Sequence, residues 1–218
     1  MVVTRLVSAP FQVNVHVVRE GDRALVVDAS SGLDWDTFGP RLAAAIGDAK
    51  VEAVYLTHVH VDHVGAAARV KRLAGDAPVL MHEGEAFAVE KGDARLTGGA
   101  MFGVPQEACA IRSVKDGDII EFGKLKFEVL LVPGHSPAHS ALWEPESRSL
   151  FSGDVVFSHG SFGRVDLPGC DARAMLRSLE RLAGLDAVDL YPGHMGDVLG
   201  NAHEAVLESL DNARLMLS

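Results

Sequence analysis

The chain has 218 residues, a formal net charge of −10 at pH 7 and two cysteines. This length suits one large α/β domain, and we predict a single domain over residues 1–218. The negative charge repels nucleic acids, no apolar stretch is long enough to cross a bilayer, and two cysteines cannot build a disulfide framework. The first residues lack the basic and apolar regions of a signal peptide. We therefore expect a cytoplasmic protein with a small-molecule substrate and with no nucleic-acid or membrane partner. Whether it forms a homo-oligomer is left open by the sequence.

Three β-rich segments open the chain, at residues 2–7, 11–18 and 24–28. Alternation of apolar and polar side chains in the second segment predicts an antiparallel start to a sheet. Asp28 ends the third segment, directly before Ala-Ser-Ser-Gly. Its carboxylate either bonds the backbone of this turn, which we favour, or supports a metal ligand from behind.

A helix at residues 34–46, with Asp34 as its cap, leads to an apolar strand at 51–56 and then to Thr-His-Val-His-Val-Asp-His-Val-Gly. His58 and His60 are two positions apart on extended backbone, so their imidazoles point the same way. Asp62 and His63 follow where a helix begins. Three imidazoles and a carboxylate at one strand end are costly to bury unless a cation binds them. This motif therefore predicts a metal site.

Helices and strands continue to alternate after the motif, with a helix at 64–73, a strand at 78–81 and a short helix at 83–89. Residues 91–109 are rich in glycine and show no clear period, which predicts a long loop of the kind that often covers a site. Segments at 111–114, 118–122 and 125–132 are typical of strands and predict a second, antiparallel sheet.

Single histidines and one aspartate follow the later strands. His135 lies in a Gly- and Pro-containing turn after one strand, Asp154 follows a strand at 149–152, and His194 follows a strand at 187–190. The remaining helices are predicted at 171–182, capped by Asp171, and at 201–217. Functional side chains on loops above a sheet scaffold are typical of an active site.

The order His-x-His-x-Asp-His, then His, Asp and His, resembles the metallo-β-lactamase superfamily over nearly the whole chain. The resemblance implies an α/β fold, an αββα sandwich of two mixed β-sheets flanked by helices, with two metal ions. It implies that the first metal binds His58, His60 and His135, the second binds Asp62, His63 and His194, and Asp154 bridges them. Nitrogen and carboxylate ligands suit zinc, so we expect two Zn²⁺ per chain, although iron or manganese fits the same ligands.

Three further segments, at residues 133–140, 152–155 and 163–169, resemble the glyoxalase II-like (hydroxyacylglutathione hydrolase-like) thioesterases. The resemblance implies that a metal-bound hydroxide, oriented by Asp62, attacks a thioester or a related ester or lactone. Arg164 stands at the family's basic substrate contact, where it either pairs with a substrate carboxylate or forms a structural ion pair with Asp166. His159, in the loop before it, is a second candidate substrate contact.

Two departures from glyoxalase II argue against glutathione as the thiol carrier. Asp166 and Gly196 stand where that enzyme has tyrosines, and the chain ends soon after His194, without room for the family's helical C-terminal domain. The alternative functions are a persulfide dioxygenase-like mononuclear iron oxidoreductase and a metal-dependent phosphodiesterase or nuclease. We interpret His139 as a supporting or structural residue, and Cys170 as a structural thiol and not a nucleophile.

Overall fold

The computed structural model describes residues 1–217. Strands within them lie at Val2–Ser8 (β1), Val13–Glu20 (β2), Arg23–Val27 (β3), Lys50–Leu56 (β4), Val79–His82 (β5), Ile111–Val114 (β6), Ile119–Phe122 (β7), Leu125–Leu131 (β8), Ser140–Glu144 (β9), Ser149–Gly153 (β10) and Asp189–Pro192 (β11). Helices lie at Trp35–Ile46 (α1), Val61–Val64 (α2), Ala67–Leu73 (α3), Glu83–Lys91 (α4), Ala172–Ala183 (α5) and Ala202–Leu217 (α6). None of these helices is long and apolar enough to cross a membrane.

The first sheet has six strands in the order β1-β2-β3-β4-β5-β6. The first three strands are antiparallel, as predicted, and β3, β4, β5 and β6 run parallel. Parallel neighbours need crossover connections, which α1, the α2–α3 pair and α4 supply in turn. The carboxyl ends of β3 and β4 therefore meet at one edge, where Asp28 follows one strand and Thr57 the other.

The second sheet has five strands in the order β11-β10-β9-β8-β7. Strands β8, β9 and β10 are antiparallel, whereas β11 joins β10 in parallel after the crossover through α5. The prediction of an antiparallel second sheet from the segments at 111–114, 118–122 and 125–132 is wrong for the first of them, because β6 pairs in parallel with β5 in the first sheet. Two mixed sheets with helices confirm the predicted α/β fold class.

Backbone packing divides the chain into two compact units. The first unit contains Met1–Val114 and Glu121–Leu125, and its core packs α1, through Phe38 and Leu42, with the apolar residues of β2 and β4. The second unit contains Lys115–Ile120 and the residues from Lys126 onward, and its core packs α5 and α6 with β10. The prediction of a single domain stays a prediction.

One predicted helix is divided in the structure, whereas the predicted starts of two others agree with it. Asp34 occupies the N-cap position of α1, as predicted, but its side chain makes no capping hydrogen bond, because its carboxylate accepts hydrogen bonds from Ser8 Oγ (2.7 Å) and the Ala9 amide (2.9 Å). The predicted helix 64–73 is divided between α2 and α3 near Gly65, where a Cβ would lie 2.5 Å from the carbonyl oxygen of Ser31. Asp171 caps α5 as predicted, with Oδ1 accepting from the Ala174 amide at 2.9 Å.

The predicted loop at 91–109 begins one residue later, because α4 extends to Lys91, and it contains a short 3₁₀ helix at Gly99–Phe102. The loop bonds the helix of the histidine motif at both ends. The carbonyl of Thr97 accepts from the Val61 amide at 2.8 Å, and the Gln106 side-chain amide donates to the carbonyl of Val64 at 3.2 Å. These bonds hold the loop against the segment that carries Asp62.

Candidate metal centre

The four clustered candidate ligands lie in the first unit, between the end of β4 and the end of α2. His58 and His63 are fully buried, whereas His60 and Asp62 are partly exposed. His58 Nε2 and His60 Nδ1 are 3.1 Å apart, and His63 Nε2 lies 3.7 Å from Asp62 Oδ2. His58 thus pairs with His60, and His63 pairs with Asp62. This pairing matches the division between two metals that the family resemblance implies.

Asp28 supports this cluster from behind, and the turn interpretation favoured from the sequence is wrong. Its Oδ2 accepts the Nδ1 proton of His63 at 2.8 Å, and its Oδ1 accepts from the Thr57 amide at 2.9 Å. A left-handed backbone conformation, with φ at 64°, brings the carboxylate to these partners. Nε2 of His63 is therefore the atom that would bind a metal, because Nδ1 already donates to Asp28.

Thr57 is a functional residue that the sequence analysis missed. Its hydroxyl donates to the Asp28 carboxylate at 3.0–3.1 Å, so its oxygen is left to accept from Nδ1 of His58, which is 3.0 Å away. His58 then presents Nε2 as well. A parallel pairing of β3 with β4 would have indicated this contact, because it brings the residues that follow the two strands, Asp28 and Thr57, together.

The other three candidate ligands lie in the second unit and meet at one carboxylate oxygen. Asp154 Oδ2 is 3.4 Å from His135 Nε2 and 3.3 Å from His194 Nε2. The parallel pairing of β10 with β11 explains the meeting of Asp154 and His194, since Gly193 donates to the carbonyl of Gly153 at 2.8 Å. His135 arrives from the turn after β8.

Neighbouring ligand atoms within each unit lie 3.1–3.7 Å apart, close to the spacing of ligands around a metal ion. Two ligands at 2.0–2.1 Å from a tetrahedral zinc are separated by about 3.3 Å. The distances from Asp154 to its two histidines equal this separation, and the His58–His60 distance is close to it. One Asp oxygen placed between two imidazoles suits a ligand that two cations share. The donor set therefore fits divalent metals.

A segment at residues 163–171 holds the His135 ligand in place. The Nδ1 proton of His135 goes to the carbonyl of Arg164 at 2.9 Å, so Nε2 is the atom that would bind a metal. Gly163 packs so closely that a Cβ there would lie 1.8 Å from the carbonyl oxygen of Asp154. The Cys170 thiol donates to the carbonyl of His135 at 3.0 Å. Desolvation raises the pKa of this thiol, which agrees with its interpretation as structural.

His139 is fully buried, and its Nε2 accepts a hydrogen bond from the Asp154 amide at 2.9 Å. This contact agrees with the supporting role predicted for His139. Phe157 packs edge-on against His194, with 5.8 Å between ring centroids. Each ligand of the second unit thus has a neighbour that restrains it.

The two candidate substrate contacts are both exposed. Arg164 forms the ion pair with Asp166 that the sequence offered as one alternative, with Nε–Oδ1 at 2.7 Å and Nη2–Oδ2 at 2.8 Å. This hydrogen bonding raises the pKa of Arg164 and lowers the pKa of Asp166. His159 lies on left-handed backbone, with φ at 59°. The substrate roles of Arg164 and His159 stay predictions.

Comparison with known proteins gives a sequence match to the metallo-beta-lactamase superfamily over residues 8–194, a span that contains all seven candidate ligands. The chain is 32% identical over 152 residues to hydroxyacylglutathione hydrolase GloC of Haemophilus influenzae, a match that covers 67% of this chain and 70% of that protein. Homologues of the glyoxalase II type are therefore among its relatives.

Two solved structures match nearly the entire chain. The BLEG-1 B3 metallo-beta-lactamase has a TM-score of 0.83 at 26% identity, and the match covers 100% of each chain. The protein TTHA1623, solved in a di-iron-bound form, has a TM-score of 0.74 at 31% identity, and the match covers 96% of each chain. Both similarities agree with the fold described above.

Proposed function

Because the chain belongs to the metallo-β-lactamase superfamily, we propose that it is a binuclear metal-dependent hydrolase that cleaves a thioester. The seven ligands would bind two cations in the assignment that the family implies. The observation that carries the proposal is the position of Asp154, whose Oδ2 is nearly equidistant from His135 and His194. A carboxylate oxygen at this position could ligate two metals at once, as the family's assignment requires. Zinc is the first choice, with iron or manganese as alternatives.

Bound divalent cations would supply Lewis-acid polarisation of the substrate carbonyl and a water of lowered pKa. The protein supplies orientation for this chemistry. Asp28 and Thr57 set which nitrogen His63 and His58 present, and the carbonyl of Arg164 does the same for His135. Ligands restrained in this way keep their geometry while the substrate reacts.

Asp62 is the residue that we propose to orient the attacking water. Its side chain is 18% exposed, whereas that of His63 beside it is completely buried. The carboxylate therefore lies at the boundary between the ligand cluster and solvent, where a substrate and a water molecule can reach it. A carboxylate that accepts a hydrogen bond from the water molecule turns a lone pair of the water oxygen toward the carbonyl carbon of the substrate.

A thioester suits this set of residues better than an amide. A thiol has an ordinary pKa near 8.5, so it leaves as the thiolate without needing a proton. An amine, in contrast, must be protonated as it leaves. Within residues 1–217, Cys109 and Cys170 both have a raised pKa and the Cys170 proton is engaged with a backbone carbonyl. Neither thiol is therefore proposed as the general acid that an amide substrate would need.

Hydroxyacyl thioesters are the first substrates to test, and glutathione belongs among the carriers. The sequence departures at Asp166 and Gly196 argued against glutathione. The Haemophilus relative, however, is similar in length to this chain, because the match covers 67% of this chain and 70% of that protein. That protein bears the name of a hydroxyacylglutathione hydrolase, which supports keeping glutathione thioesters in the panel.

The experiment is to measure zinc, iron and manganese per chain in the wild type, His60→Ala and His194→Ala, together with hydrolysis of hydroxyacyl thioesters, lactones and phosphodiesters. We expect about two metals in the wild type, a loss of mainly one in each variant, and thioester cleavage that a chelator abolishes and metal restores. A single iron that His194→Ala leaves unchanged, with oxygen consumption on persulfide, would overturn the proposal. Preferential cleavage of phosphodiesters would contradict the substrate class.

A further inference from the structure

His139 joins the two turns that carry His135 and Asp154. Its backbone carbonyl accepts from the Val132 amide at 2.8 Å and so closes the loop on which His135 lies. Its side-chain Nε2 accepts from the Asp154 amide at 2.9 Å. Both contacts belong to one residue with no exposed surface. A movement of either turn would therefore be transmitted to the other through His139.

The hydrogen bond to Asp154 determines the chemical state of His139. A backbone amide can only donate, so Nε2 must offer a lone pair and the ring carries its single proton on Nδ1. The imidazole is therefore neutral here, and its accepting atom is Nε2. Its partner is the amide of Asp154 itself, one bond from the Cα that carries the shared carboxylate.

We propose that His139 is a positioning residue that sets the separation between the Asp154 carboxylate and the His135 imidazole, and with it the affinity of the metal. This inference rests on the proposed metal-dependent function. The separation in question is the 3.4 Å between Asp154 Oδ2 and His135 Nε2, which matches two ligands of one metal. His139 holds the backbone on both sides of that distance.

The test compares His139→Gln with His139→Leu. The amide oxygen of Gln reaches about as far from the backbone as Nε2 of His, so Gln retains an acceptor for the Asp154 amide. Leu fills a similar volume without an acceptor. We expect His139→Leu to weaken zinc binding about 10- to 100-fold and His139→Gln to restore most of the affinity. Zinc affinity is measured by competition with a chelating dye, and the ligand field by the visible absorption of the Co²⁺-loaded protein.

A matched control is His203→Leu, also in the second unit. His203 is half-buried on α6, and its Nδ1 donates to the carbonyl of Leu185 at 2.8 Å. This variant loses a histidine–backbone bond away from the ligands, so we expect a lower Tm of the metal-free protein with unchanged zinc affinity. His139→Leu should differ from it by changing both the zinc affinity and the Co²⁺ spectrum.

Equal zinc affinity in His139→Leu, His139→Gln and the wild type would overturn the positioning role. An equal loss in both variants would also overturn it, because retention of the acceptor would then be irrelevant. If His139→Leu does not fold, His139→Asn replaces it, since its shorter side chain does not reach the Nε2 position. Metal binding is measured without substrate, so an inactive enzyme that shows the expected affinities refutes the thioesterase proposal alone. A wild type that binds no metal refutes both.

Discussion

His63 donates its Nδ1 proton to Asp28 across 2.8 Å, and both side chains are almost completely buried. The two residues are 35 positions apart in the chain and meet because β3 and β4 run parallel. A carboxylate behind a metal-binding histidine orients the ring and increases its basicity. Asp28 also binds the Thr57 amide, so one carboxylate supports both ends of the histidine motif.

We expect Asp28→Asn to weaken metal binding about 10- to 100-fold. Asn tolerates the left-handed backbone at this position and keeps an oxygen for Thr57, but it removes the negative charge that faces His63. Zinc affinity from dye competition is the measurement. The control is Asp48→Asn in the same unit, where the carboxylate is 95% exposed and pairs with Arg19. Equal affinities in the two variants would contradict the role of Asp28.

We expect Gly163→Ala to destabilise the protein by roughly 1–3 kcal/mol, as overpacking of a tight contact does. The added methyl would lie 1.8 Å from the carbonyl oxygen of Asp154 and 3.0 Å from Nδ1 of His135, so both ligand turns must move. Urea unfolding measures the stability, and metal content measures the site. Gly184→Ala, at a helical φ of −74°, is the control and should retain its metal. A Gly163→Ala protein with normal stability would show that the segment adapts without cost.

The Arg164–Asp166 pair allows a test of substrate anchoring. If Arg164 binds a substrate carboxylate, Arg164→Ala should raise KM for carboxylate-bearing thioesters roughly 3- to 10-fold with little change in kcat. Asp166→Asn should lower KM for the same substrates, because it releases the guanidinium from its bidentate partner. A thioester without a carboxylate serves as the control substrate. An unchanged KM in both variants would leave the pair with a structural role only.

Tyr191 predicts a loss of stability at high pH. Desolvation, with smaller effects of Asp189 and Asp197, raises the pKa of Tyr191 to about 12 in the folded protein. The unfolded chain releases this proton near pH 10, so between pH 10 and 12 ionisation favours the unfolded state. From pH 9.5 to 11.5, the wild type should lose roughly 1–2 kcal/mol more than Tyr191→Phe, which has no proton to release. Parallel pH profiles in urea unfolding would contradict this account.

Local spacing determined the metal-binding motif. His58, His60, Asp62 and His63 lie within six residues, so a strand end followed by a helix start is sufficient to gather their side chains. The α/β class and the bounds of most elements also followed from periodicity and capping residues, as at Asp171. These properties depend on a few neighbouring residues and are therefore visible in the sequence.

Tertiary structure alone decided what supports those ligands and how the strands pair. The contacts of Asp28 with His63, Arg164 with His135 and His139 with Asp154 join residues 35, 29 and 15 positions apart, and no local pattern encodes them. The pairing of β6 with β5 and the parallel direction of β11 likewise depend on crossovers through helices. Asp34 illustrates the physical reason. Its position predicted a helix cap, but the folded chain offered its carboxylate better partners at Ser8 and Ala9.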